Sequence, residues 1–196
     1  MVLAGLALAA STTWAARNIL VFGDSLSAGY GIPQDAAWPS LLAKRLEQKR
    51  LDYSVTNASI SGETTSGGRT RLAAALDKAQ PAVVVIALGA NDGLRGLPIK
   101  TMRDNLAAMA EAAQKKNARV LIVGQRLPPN YGPYATQFHE AFAAVAKEKK
   151  SALVDFLLDG VATRPELFQA DNLHPTAEAQ PMLLDTVWQG LAPLLK

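Results

Sequence analysis

The run AVVVIAL, Ala82 to Leu88, is apolar at every position and stops at Gly89-Ala90-Asn91-Asp92. A half-exposed strand alternates apolar and polar side chains. This one offers apolar side chains to both faces, as a strand inside a parallel sheet must. Parallel strands cannot be joined by hairpins; each needs a crossover, usually a helix. The flanking sequence supplies both parts. Short β-branched or aliphatic segments recur at Ile19–Phe22, Tyr53–Thr56, Arg119–Val123 and Ala152–Phe156. Between them Trp38, Leu41, Leu42 and Leu46 repeat at helical spacing, as do Leu72 and Leu76, and Met102, Leu106 and Met109. Two more helices fit Thr136–Lys150 and Thr176–Leu191. The fold class is therefore α/β, a three-layer sandwich with a five-stranded parallel sheet between helices.

A chain of 196 residues has the length of one domain with a full core, and 49% hydrophobic against 19% charged residues argues against disorder. The formal charge of +3 is spread out, and its one cluster, KRLEQKR from Lys44 to Arg50, reads as the solvated face of a helix. No nucleic-acid partner is expected. The absence of cysteine excludes disulfides, thiol catalysis and thiolate metal sites. The two histidines, His139 and His174, lie in no metal-ligand spacing, and Gly67-Gly68 belongs to neither a G-x-G-x-x-G nor a Walker pattern, so neither metal nor cofactor is expected. Residues 1–15 read as a signal peptide: an apolar stretch too short to span a bilayer, then Thr13 and Ala15 as small residues before a cut, although a basic first segment is missing. The expectation is one domain over 16–196, periplasmic or secreted, with no stable membrane insertion.

Open parallel sheets bind ligands at the carboxyl ends of their strands. The first strand ends on Gly23-Asp24-Ser25, the second leads into NASISGETTSGG around Gly62, the third into Gly89-Ala90-Asn91-Asp92, and the fifth, after an intervening stretch, into DNLHP with Asp171 and His174. Alone, Gly-Asp-Ser is also a turn or a helix cap. Four polar or acid-base motifs at one sheet edge are harder to read that way.

GDSLSAGYG, NASISGETT, LGANDGLRG, RLPPNYG and DNLHPTAEAQP together resemble the ordered blocks of the SGNH, or GDSL, hydrolase superfamily, in its branch of multifunctional thioesterase I, lysophospholipase L1 and arylesterase. The resemblance runs from about Ile19 to the C-terminus. It implies a flavodoxin-like fold and a Ser-His-Asp triad of Ser25, His174 and Asp171, with an oxyanion hole from the backbone N–H groups of Ser25 and Gly62 and the side-chain amide of Asn91. Each role is physically sound. A neutral imidazole can take the serine proton, a carboxylate can hold its tautomer, and the D-x-x-H spacing lets Asp171 and His174 meet within one bend. Pro175 disfavours helix at His174 and suits the first turn of the helix that follows. Asp24 and Asp92 are read as braces of their own turns, His139 as a surface or packing residue, and Ser27, Ser59, Ser61 and Ser66 as turn and cap residues. Asn172, Glu63 and Ala90 stand where that branch commonly has Gly, Asp and Gly, and Asn tolerates the left-handed turn.

The resulting expectation is a monomeric serine esterase that forms an acyl-enzyme on acyl esters, thioesters such as acyl-CoA, or lysophospholipids. Leu94, Leu97, Pro98 and Ile99 after the third strand, and Leu127, the two prolines Pro128 and Pro129, and Tyr131 after the fourth, are the candidate acyl-binding surface. The alternatives are a carbohydrate acetylesterase of the same superfamily and a catalytically silent binding module.

Overall fold

The computed structural model describes residues 17–195; the signal-peptide expectation for 1–15 lies outside them. Chain order is β1 (Arg17–Gly23), α1 (Ser25–Ala28), α2 (Trp38–Gln48), β2 (Tyr53–Asn57), α3 (Thr65–Ala79), β3 (Val83–Ala87), α4 (Ala90–Leu94), α5 (Ile99–Lys115), β4 (Arg119–Val123), α6 (Pro133–Glu148), β5 (Ala152–Val154) and α7 (Gln180–Leu191). The strands are all parallel, in the order β2-β1-β3-β4-β5. This is the doubly wound order of flavodoxin-like folds, and the chain reverses its direction of winding between β1 and β3.

Period-two geometry explains the three layers. Ile19, Val21, Val83, Val85, Leu121 and Val123 point to one face and pack with Trp38, Leu42 and Leu46 of α2 and Leu183, Val187 and Leu191 of α7. Their neighbours Leu20, Phe22, Val84, Ile86, Val120 and Ile122 point to the other, against Leu72 and Leu76 of α3, Met102, Leu106 and Met109 of α5, and Phe138, Phe142 and Val145 of α6. The non-alternating run in β3 is buried throughout because it is central and covered on both sides.

Three local expectations are corrected. The fifth strand ends at Val154, so Phe156 lies outside it. Gly124 N–H takes the Val154 carbonyl at 2.7 Å and Leu157 N–H returns to the Gly124 carbonyl at 3.0 Å, which turns the chain off the sheet edge. This crossing needs glycine, since a Cβ at 124 would stand 2.2 Å from the Asp155 carbonyl oxygen. The sixth helix starts at Pro133 and not at Thr136, with proline in the first turn, where its missing N–H is harmless. The last helix is preceded by a single 3₁₀ turn over Ala177–Ala179, and Pro175 sits before it in an antiparallel bridge to Phe168.

Candidate active site

β1 delivers Gly23 to the carboxyl edge, and the chain turns at once into α1. Asp24 Oδ1 accepts the Leu26 N–H at 3.1 Å, a cap that leaves Ser25 as the first helical residue with its side chain free. The partner arrives from the far end of the chain. His174 Nε2 stands 2.9 Å from Ser25 Oγ, and His174 Nδ1 stands 2.6 Å from Asp171 Oδ2. The D-x-x-H bend is closed from inside, because Asp171 Oδ1 also accepts the N–H of Leu173 at 2.9 Å and of His174 at 3.0 Å. The His174 backbone N–H, its ring and then the Leu173 N–H hold the Asp171 carboxyl well below the usual carboxylate range. Asn172 takes the left-handed conformation at φ 55°, which lets the bend close.

The bend is anchored from outside by the Phe168–Pro175 bridge, by Gln169 N–H on the His174 carbonyl (2.8 Å), and by Gln169 Nε2 on the carbonyls of Tyr30 (2.8 Å) and Pro175 (3.0 Å). Tyr30 lies over the imidazole with ring centroids 4.5 Å apart. Pro175 thus keeps His174 out of helix as expected, but it does so from a bridge.

Gly62 adopts φ 78°, a conformation that carries strain for any residue with a Cβ. The next segment zips onto it: Arg95 donates to the Gly62 carbonyl and Asn91 Nδ2 to the Glu63 carbonyl, each at 3.1 Å. An asparagine amide has two N–H donors; one serves Glu63, and the side chain also acts on the buried Asp24 carboxyl beneath the nucleophile. Ser25, Gly62, Asn91 and His174 all line one cleft of about 670 Å³.

Leu94, Leu127, Pro128 and Pro129 are in its wall, but Leu97, Pro98, Ile99 and Tyr131 are not. Tyr131 donates its hydroxyl to the Leu94 carbonyl and Tyr134 donates to that of Leu97, so this part of the loop is tied down from behind. Ile99 packs against the core under α5. The wall is completed by Leu26, Tyr30, Gln125, Phe156, Leu158, Phe168 and Leu173, which the sequence reading missed. The nearest sequence signal was the apolar FLLDGVA between Phe156 and Ala162, part of which read as strand.

Asp24 is fully buried as a local cap, but Asp92 is not a local brace. It accepts both the N–H (2.8 Å) and the hydroxyl (2.6 Å) of Thr65 and so fastens α4 to the start of α3. His139 Nδ1 contacts the Gln125 carbonyl and Nε2 contacts Asp155, each at 3.2 Å, a bracing role on α6. Among the described residues no His, Asp or Glu cluster could hold a metal ion, and no helix is long and apolar enough to cross a membrane.

Over 182 residues the chain is 50% identical to "Esterase TesA" of Pseudomonas aeruginosa, covering 92% of this chain and 90% of that protein. It is 40% identical over 185 residues to "Thioesterase 1/protease 1/lysophospholipase L1" of Escherichia coli K12, covering 92% and 86%. The crystal structure of TesA superposes with a TM-score of 0.89 at 49% identity, over 91% of this chain and all (100%) of that one. Residues 21–180 match the model of the GDSL-like Lipase/Acylhydrolase family. With Ser25 in the Gly-Asp-Ser turn of β1 and His174 in hydrogen-bond contact with it, the chain belongs to the GDSL-like Lipase/Acylhydrolase family.

Proposed function

We propose that this carboxylic ester hydrolase cleaves acyl esters and thioesters through an acyl-enzyme on Ser25. The observation that carries the reading is the unbroken line Ser25 Oγ, His174 Nε2, His174 Nδ1, Asp171 Oδ2, with separations of 2.9 and 2.6 Å. His174 takes the Ser25 proton as Oγ attacks the acyl carbon and returns it to the leaving alcohol or thiol. Water then repeats the cycle on the acyl-enzyme. Asp171, held ionised by its N–H donors, keeps the imidazole oriented and stabilises its protonated form. The N–H groups of Ser25 and Gly62 and the side-chain amide of Asn91 receive the oxyanion. All these groups come from one chain, which supports a monomer as the working unit.

The acyl chain lies along Leu26, Leu94, Leu127, Phe156 and Leu158, a mostly apolar wall that supports acyl esters, acyl-CoA-type thioesters and lysophospholipids over polysaccharides. Each buried CH₂ contributes up to about 0.8 kcal/mol, or roughly fourfold. The expected result is that kcat/KM for p-nitrophenyl esters rises from acetate to a medium-chain acyl group, and that a fluorophosphonate labels wild type but not Ser25→Ala. Labelling that survives Ser25→Ala refutes the nucleophile. Activity confined to acetyl groups, with acetylated polysaccharide preferred, moves the assignment to a carbohydrate acetylesterase. We also propose that residues 1–15 are removed on export to the periplasm or beyond; an intact mass that retains them in the mature protein refutes this.

A further inference from the structure

The wall of the cleft is apolar over most of its extent, but Gln125 breaks the pattern. It is the second residue past β4 and lines the cleft while only 3% exposed. Its backbone carbonyl is occupied by His139, which holds this stretch of loop against α6. Its side-chain Nε2, however, has no hydrogen-bond partner. Buried polar groups are paired in the great majority of cases, and an unpaired amide carries the full desolvation penalty of its N–H groups. Leucine or methionine would fill the same space without that penalty. The neighbours Arg126 and Leu127 also line the cleft, so the glutamine belongs to the substrate-facing wall and not to the core.

We infer that Gln125 is a specificity-determining residue whose side-chain amide hydrogen-bonds an oxygen carried on the acyl chain, so that the preferred acyl group is a keto- or hydroxyacyl chain and not a plain alkyl chain. The inference rests on the esterase reading above and adds the chemical class of the acyl group. A carboxamide has donors on one side and an acceptor on the other, so rotation about its last bond presents either to the cleft. The Nε2 is already shut away from water and unpaired, and a plain alkyl chain in the cleft leaves it so. An oxygen at matching depth pairs with it. Sites that hydrogen-bond a substrate discriminate against the analogue lacking the polar group far more strongly than apolar pockets discriminate by size.

The test uses p-nitrophenyl hexanoate and its 3-oxo, 4-oxo and 5-oxo analogues with wild type and Gln125→Leu. In each enzyme kcat/KM for an oxo ester is divided by that for the plain ester, so the intrinsic reactivity of each ester cancels when the enzymes are compared. At one oxo position the ratio is expected to be at least about tenfold higher in wild type than in Gln125→Leu. Equal ratios in the two enzymes at every position overturn the inference and leave the esterase reading standing. Failure of wild type to hydrolyse any of the esters overturns both. Should Gln125→Leu not fold, calorimetric binding of hexanoate and the three oxo acids to wild type decides. Tighter binding of one oxo acid supports the inference, and equal affinity for all four overturns it.

Discussion

Replacing Asp24 with asparagine tests the electrostatics beneath the nucleophile. Asp24 is 0% exposed, and burial, aided by the nearby Asp92 charge and opposed by the Leu26 amide, raises its pKa from 3.8 to about 7. The folded chain therefore keeps this proton up to about pH 7, while the unfolded chain loses it near 3.8. Across that window the unfolded state binds fewer protons than the folded one, so stability falls as pH rises, and it levels off above the folded value. The asparagine side chain would keep an oxygen for the Leu26 N–H and would carry no charge at any pH. Each pKa unit corresponds to about 1.4 kcal/mol. About two units separate pH 5 from the folded value of about 7, so the stability of Asp24→Asn relative to wild type should improve by about 3 kcal/mol between pH 5 and pH 9. Urea unfolding of both proteins at the two pH values measures this, and taking the difference cancels every other titrating group. A difference that does not change with pH, or that grows in favour of wild type, refutes the reasoning.

Three more outcomes follow from the site and its frame. His174→Ala should lower kcat/KM by at least about 10³-fold while His139→Ala stays within about threefold of wild type; equal losses would show that the wrong histidine contacts the nucleophile. Asn91→Ala should lower kcat by about 10² to 10³ with KM little changed, and a change in KM alone would make Asn91 a binding residue. Gly124→Ala, whose Cβ would stand 2.2 Å from the Asp155 carbonyl oxygen, should lose at least about 2 kcal/mol in urea unfolding, and a wild-type midpoint would show that β4 and β5 can part there freely.

What could be read from the residues was what depends on neighbours in the chain. The unalternating β3 run declared its two covered faces, and D-x-x-H placed Asp171 and His174 within reach of each other in a single bend. The Ser25–His174 contact bridges 149 positions, and it was legible only through the ordered motifs, not from any spacing. The cleft wall was less legible. Tyrosines behind the loop hold the carbonyls of both Leu94 and Leu97, yet only Leu94 lines the cleft, and nothing in the spacing of the loop residues separates the two. Asp92 looked like a turn brace because its true partner, Thr65, is 27 residues away. Gln125 passed unnoticed, since an amide beside Arg126 looks solvated until the fold buries it.

The long reach between Ser25 and His174 also has a consequence for the timing of biosynthesis. At an elongation rate of about 5 to 20 residues per second, the 149 positions between them mean that roughly 7 to 30 s pass after the serine is made before its base exists. During that interval the ribosome-bound chain holds an ordinary, unactivated hydroxyl. Messages cut short anywhere before His174 yield chains without the base, so turnover by this protein comes only from molecules whose synthesis passed that residue.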